Sequence, residues 1–511
     1  MGSRRGDLPP GPPTVPVLGN AHIFPTKQAH VQFTQWAKVY GDIYSLMVGD
    51  QVMVILSNPR LVQELLDHRT ATTSDRPPVH ILDVIAHGLV VPMMRYGELW
   101  KDFRRVLREI LSREACARHL PIQRAEATQL MYDLLKQPEN FFTDIRRYSS
   151  STILSAVFGL RCPRYSDSYI SRFFTVQRDL SFIVGPGAIP PVDIFPVLKY
   201  VPERWASWKT MAKNIKKVHR KLWYDLLDVI EKRVVEGRRQ GCLMEDIWDN
   251  QEQFNFNREK MAYIGSNMLE AGSDTTSMFL QSFIAFITAH PEVQRRAQAE
   301  IDDVIGPSRS PSFEDWDSLP YLQAIVKEVH RLRPITPSLI PHRTTADERL
   351  DQYMIPKGST VFVNVWGINY DPAAFDEPEK FDPDRFLRSE FGTRDGADDT
   401  GRRHDLVFGC GRRFCPGMEF ATNSLRINTM NLLWAFNFGL AKDDAGKPIP
   451  IDLNDMTDGL LLTQNPYKCV VEPRSQRHAD IIRTNYAAAR GLFAQFEQEL
   501  TPDEKKYVEE W

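Results

Sequence analysis

The chain has 511 residues, 42% of them hydrophobic and 25% charged. Those proportions belong to a folded globular protein and exclude disordered, collagenous and disulfide-scaffold classes. A net charge of −3 gives no global footprint for nucleic acid, and six cysteines are too few for a disulfide framework.

No run of about 18 consecutive apolar residues occurs, so no spanning helix is expected within the sequence. The first seven residues are polar and lack the apolar core of a secretory signal. Residues 8–16 read LPPGPPTVP, a stiff polyproline-type stretch preceded by Arg4 and Arg5. This predicts a proline-rich connector over 1–20 that follows a membrane anchor missing from these residues. A body over 21–474 and a helical extension over 475–511, packed on that body, complete the expected organisation. Helical spacing is expected over 31–40, and alternation around Gly49-Asp50 predicts a hairpin of 43–48 and 52–57. A helical period resumes over 59–67. Residues 76–98 hold three prolines and two glycines and read as a long irregular loop bordering a site. A basic helix is expected from Trp100 to about Arg113, and helices dominate to about residue 335. Breaks are expected at 185–191, at Pro202 and over 306–318. Strand-like spacing covers 335–365, with a turn at Pro356 to Ser359, and a long helix runs from Met418 to about Phe436. Thr501-Pro-Asp-Glu504 spells a capping box with proline at the first helical position. The fold class is mostly α (α+β): a single helix-rich body with small sheets near both ends.

Chemistry concentrates in Phe408 to Gly417, FGCGRRFCPG. Cys415 precedes the long helix, so its sulfur is expected at a helix N-terminus, where free N–H groups and the positive dipole end favour thiolate. Gly409, Gly411 and Gly417 permit close backbone approach, and Arg413 adds a cation. Such a sulfur suits a soft axial ligand of haem iron, although a cysteine in a glycine-rich loop, taken alone, is more often inert or a weak metal ligand. A zinc or iron–sulfur site through Cys410 and Cys415 lacks further ligands, because Cys116, Cys162, Cys242 and Cys469 are scattered singly.

The loop resembles, at Phe408, Gly411, Arg413, Cys415 and Gly417, the haem-binding signature of the cytochrome P450 family. Three further motifs stand in that family's order along the chain: Ala271-Gly-Ser-Asp-Thr-Thr276, Glu328-Val-His-Arg331 and Phe381-Asp-Pro-Asp-Arg-Phe386. The likeness is to the microsomal type of eukaryotes, in the style of fungal secondary-metabolism members. It implies a haem-thiolate monooxygenase with haem b on Cys415. Trp100, Arg104, His342 (rather than Arg343) and Arg413 would hold the propionates, and Phe408 and Gly417 would complete the cofactor site. Asp274 and Thr275 would be catalytic, on a helix crossing the distal haem face and opened locally at this pair, with Asp274 relaying protons and Thr275 holding water toward dioxygen. Ile264, Asn267, Met268 and Ala271 share one face of that helix and, with Leu339, would border the substrate. Asn267 is there a polar handle or, as readily, a solvent-facing asparagine. The pocket would be bounded by 76–98, 180–215, the distal helix, 335–340 and 456–461. Glu328, Arg331 and Arg385 would form a buried structural triad.

The same resemblance implies an NADPH–cytochrome P450 reductase docked on Lys101, Arg105, Arg108 and Arg412, so that NADPH and flavins act only through that partner. It further implies an apolar or aromatic small-molecule substrate, dioxygen as co-substrate and a monomer on the cytoplasmic face of the endoplasmic reticulum. A haem-thiolate isomerase or peroxygenase and a non-enzymatic haem sensor stand as alternatives. The Asp274-Thr275 pair favours oxygen activation over both.

Overall fold

A computed structural model describes residues 2–185 and 189–511. Part of the expected break at 185–191, and part of the expected pocket wall at 180–215, therefore lies outside the described residues. The connector is fastened down: the Arg4 guanidinium donates to the carbonyls of Gly11, Pro12 and Ser45 at 2.8–2.9 Å. Helix α1 (Ala29–Tyr40) follows, then strands β1 (Ile43–Val48) and β2 (Gln51–Leu56) joined at Gly49-Asp50. Strands β3 (His342–Arg343), β4 (Glu348–Leu350), β5 (Tyr353–Ile355) and β6 (Thr360–Val363) fill the later strand-like stretch. The larger sheet has the order β1-β2-β6-β3, with β6 parallel to β2 and β3 antiparallel to β6. This register sets His342 opposite Val361 and so fixes His342 on the sheet edge facing the cysteine loop's partners.

The stretch 76–98 is not wholly irregular, as its prolines and glycines suggested. It contains helix α2 (His80–Ala86), whose Ile81, Leu82, Ile85 and Ala86 are buried. Their spacing puts them on one face, and they pack with Trp208, Ala212 and Ile215. The basic helix is α3 (Glu98–Ile110). Then come α4 (Leu120–Lys136), α5 (Phe141–Phe158), α6 (Ser168–Val184) and α7 (Ser207–Val235). Helix α8 (Arg258–Ala289) is capped by Asn257, whose side chain accepts from Lys260 N at 2.9 Å. It is apolar around most of its circumference, the pattern of a core helix, and its 32 residues reach about 48 Å.

Two hydrophobic bodies share α8. Its first half packs with Leu222, Trp223, Leu226 and Ile230 of α7 and with Phe158 of α5. Its second half packs on α9 (Pro320–Leu332) and α10 (Met418–Ala435) through Phe279, Phe283, Ile325 and Leu432. Gly272 lets α5 come close, since a Cβ there would stand 2.6 Å from Ile153 Cδ1.

After strands β7 (Phe436–Leu440) and β8 (Cys469–Pro473), helices α11 (Gln476–Phe496) and α12 (Pro502–Glu510) lie along α4. Tyr486 stacks on Tyr132 at 4.1 Å, and Arg161 sits 3.5 Å over the Phe493 ring. The Thr501 capping box forms: Thr501 N donates to Glu504 Oε2 at 2.7 Å, and Glu504 N to Thr501 Oγ1 at 3.3 Å. Among the described residues no helix is long and apolar enough to cross a membrane.

Candidate cofactor and oxygen site

The cysteine loop is closed by Cys415 N donating to the Phe408 carbonyl at 2.8 Å. Gly411 is required: its φ is +54° and a Cβ would come 2.3 Å from the Leu66 carbonyl oxygen. Its N–H donates to Asp67 at 2.7 Å, while Arg403 bridges Asp67 and the Gly409 carbonyl. The Cys415 sulfur stands at the start of α10, as its position before the helix implied. Its thiol pKa nevertheless goes the other way from the sequence expectation. Burial pushes it up, against the downward pull of the Gly417 N–H and Arg104. A metal cation held by this sulfur would supply counter-charge that favours the thiolate. Gly417 has an ordinary φ of −91°, and a Cβ there would sit 4.0 Å from the sulfur, so no strain demands glycine at that position.

Above the loop, the residues expected to meet propionates do converge. Trp100 is buried on α3, with the Arg413 guanidinium 4.5 Å over its ring, and Arg413 donates to the Ser74 and Met94 carbonyls at 2.7 Å each. Arg104, one turn along α3, has a buried Nε without a hydrogen-bond partner, and burial with Arg108 nearby lowers its pKa. Arg76 joins them, fully buried and bonded to the Pro92, Ile340 and Pro341 carbonyls at 2.7–2.9 Å. Burial and the Arg413 charge lower Arg76 to about 9, and burial lowers Arg413 to about 10. The nearby carboxylate, Asp75, is already bound by Arg95 at 2.5–3.0 Å and by Tyr96 N. Buried cations short of counter-charge suit a ligand carrying two carboxylates, so these residues fit the propionate edge of haem b.

His342 lies beside the same cations. Its Nδ1 lies 2.8 Å from the Thr73 carbonyl, which makes Nδ1 the protonated nitrogen. Burial, Arg76 and Arg413 hold its pKa well below the ordinary value. With Nδ1 donating to Thr73, Nε2 would donate to a carboxylate when the ring carries a second proton.

On α8 the described geometry departs from several expectations. The helix runs unbroken from Arg258 to Ala289 instead of opening at the acid–alcohol pair. Thr275 Oγ1 donates back to the Ala271 carbonyl at 2.7 Å, whereas Asp274 turns to α6 and accepts from Gln177 Nε2 at 3.1 Å. Successive residues on a helix point about 100° apart, so the pair diverges. Burial pushes Asp274 up to about 6 against the opposing pulls of Gln177 and Arg146. Ala271 is exposed in the middle of this core helix, with Thr275 and Met278 half-buried on the same stripe, so α8 borders open space there.

Asn267 is no free handle. Its Oδ1 accepts from Val91 N at 2.8 Å, and its Nδ2 donates to the carbonyls of Leu89 and Tyr263 at 2.8 and 2.6 Å. It staples the 89–91 loop to α8. Ile264 and Met268 are core residues, and Leu339 packs with Val54 and Val363 against the larger sheet. Of the five residues expected to border the substrate, Ala271 is exposed and the other four are buried.

Glu328, Arg331 and Arg385 form the expected buried cluster. Glu328 accepts from Arg331 at 2.7 and 2.8 Å and from Arg385 at 3.1 Å. Arg331 also binds the Asn369 and Pro378 carbonyls, which ties α9 to the segment before the cysteine loop. On the basic face, Lys101 and Arg105 are paired with Glu98 and Asp102, and Arg412 bonds the Tyr96 hydroxyl. Arg108 is exposed. Sequence reasoning missed Arg76 and Gln177: the first sits between Asp75 and Pro77 in a stretch without period, and the second is 97 residues from its partner.

The Cytochrome P450 family profile matches residues 9–471. A cytochrome P450 monooxygenase of Armillaria gallica is 45% identical over 500 residues, covering 98% of this chain and 95% of that protein. The cytochrome P450 monooxygenase yanC of Aspergillus niger is 36% identical, covering 94% and 92%. Among solved structures, a zebra fish cytochrome P450 with progesterone superposes with a TM-score of 0.72 at 26% identity, covering 87% of this chain and 99% of that one.

Proposed function

The chain belongs to the cytochrome P450 family and is a monooxygenase, and from that premise we propose that it oxidises an apolar or aromatic small molecule of secondary metabolism, using dioxygen and electrons passed from NADPH by a flavin-containing reductase. The observation that carries this reading is the placement of one sulfur, Cys415, beside a cluster of buried cations lacking counter-charge. Haem held there would supply the oxidising chemistry, with thiolate donation favouring O–O cleavage.

The remaining work falls to the chain. Arg76, Arg104 and Arg413 would hold the two carboxylates of the haem, and Trp100 would wall off one side. Asp274, with its pKa near 6, can both take and release a proton around neutral pH. A side-chain rotation away from Gln177 would turn it toward Thr275. The Thr275 hydroxyl spends its proton on the Ala271 carbonyl, which leaves its oxygen free to accept from water. The apolar stripe around Ala271 offers substrate little beyond shape and burial, which suits apolar ligands. Exposed Phe182, Val197, Tyr200 and Trp205 support contact with lipid, in keeping with the cytoplasmic face of the endoplasmic reticulum. Exposed Arg108 and Arg412 support docking of an acidic reductase.

Compounds that convert ferric haem from low to high spin identify substrate candidates. With one in hand, NADPH consumption should require the reductase and match oxidised product. Thr275→Ala should keep consuming NADPH while product per NADPH falls severalfold. Unchanged coupling removes the role given to Thr275, and full turnover without reductase and NADPH refutes the monooxygenase reading of this site.

A further inference from the structure

A cavity of about 220 Å³ lies between α9, α10 and the segment before the cysteine loop, and no residue of α8 lines it. Its walls are aromatic, from Trp316, Phe375, Phe386, Phe391 and Phe408. Its charges are lopsided. Arg331 belongs to the Glu328 cluster, and Arg402 and Arg403 are matched by Asp399, Asp405 and Asp67. Lys327 and Arg426 also line it, and among the described residues neither has a carboxylate within ion-pair reach. They rest over rings instead, Lys327 5.9 Å from Phe386 and Arg426 5.7 Å from Trp316. The Arg426 Nε is buried without a hydrogen-bond partner. The one carboxylate lining the cavity, Asp405, is already committed to Arg403.

We propose that this cavity is a second ligand site, separate from the open space beside α8, that takes a flat aromatic carboxylate. The rings would stack against Phe386, Phe391 and Trp316, and the carboxylate would meet Arg426 and Lys327. A buried donor without a partner costs free energy that an arriving anion relieves, and a charge-assisted bond to guanidinium is about twice as strong as a neutral one. A neutral aromatic would gain the stacking alone. The volume admits a bicyclic ligand and excludes a macromolecular segment.

The test uses haem-loaded protein already saturated with an imidazole on the iron, whose Soret band would shift if the probe entered beside the haem instead. Titration with 1-naphthoate by calorimetry should show one saturable site, with 1-naphthylmethanol binding at least tenfold more weakly. Arg426→Gln should weaken 1-naphthoate at least tenfold, and Arg426→Lys should retain most of the affinity. Both variants should keep the Soret spectrum and melting temperature of the parent. If Arg426→Gln does not fold, Lys327→Gln at the opposite wall carries the same expectation. Absence of saturable binding, equal affinity for the alcohol, or undiminished affinity in the charge-neutral variant overturns the proposal.

Discussion

Asp274→Asn isolates what it costs to keep a carboxyl group beneath α6. Asp274 has its pKa raised from 3.8 to about 6, mainly by burial, so the folded chain holds this proton more tightly than the unfolded chain does. The sign follows from linkage. Well below about pH 4 the group is neutral in both states and there is no penalty. Between about pH 4 and 6 the penalty grows, and above 6 it is complete at about 3 kcal/mol. Asparagine keeps an oxygen to accept from Gln177 and carries no charge, so the variant should gain up to about 3 kcal/mol at pH 7.5 and only about 0.5 kcal/mol at pH 4. Paired urea titrations at the two pH values measure the difference. Infrared difference spectra should show a protonated carboxyl band in the parent that disappears with a midpoint near 6 and is missing in the variant. An equal stability difference at both pH values, or a midpoint near 4, would refute burial as the cause.

Two further substitutions probe the surroundings. Asn267→Leu leaves the Val91 N–H and the Leu89 carbonyl buried without partners, at about 1–3 kcal/mol each. Hydrogen exchange at the Val91 amide should accelerate at least about thirtyfold while helices elsewhere keep their protection, and an unchanged rate would show that the staple is idle. Gly272→Val drives a Cβ into Ile153 and should lower the melting temperature by several degrees. Ile153→Ala in the same chain should recover part of the loss, and strict additivity of the two changes would deny the close contact.

Features encoded by neighbouring residues could be read from sequence. The cysteine loop, the hairpin about Gly49-Asp50, the start of α10 and the capping box at Thr501 each lie within a few positions, and all four form. Features that depend on distant partners could not. Asn267 looked like a handle because its partners are backbone groups of residues 89 and 91, which have no side-chain signature. Arg76 looked like part of a loop, and only the folded chain shows its charge buried beside Arg413. Helix α2 hid between Pro78 and Gly88, since seven residues give too short a period to stand out. The thiol of Cys415 was misjudged for a different reason: the dipole and the cation are local and visible, while desolvation is a property of the whole surroundings.

Asn267 and Asp274 are seven positions apart, two turns along one flank of α8 and roughly 10 Å in rise. One grips the 89–91 loop and the other holds a titrating proton, and the rod between them is stiff. Swapping that loop to admit a bulkier compound would tug on the same rod that sets the acid's orientation. Laboratory evolution of new substrate range in this protein should therefore select compensating changes near Gln177 and Arg146, far in sequence from the segment being altered.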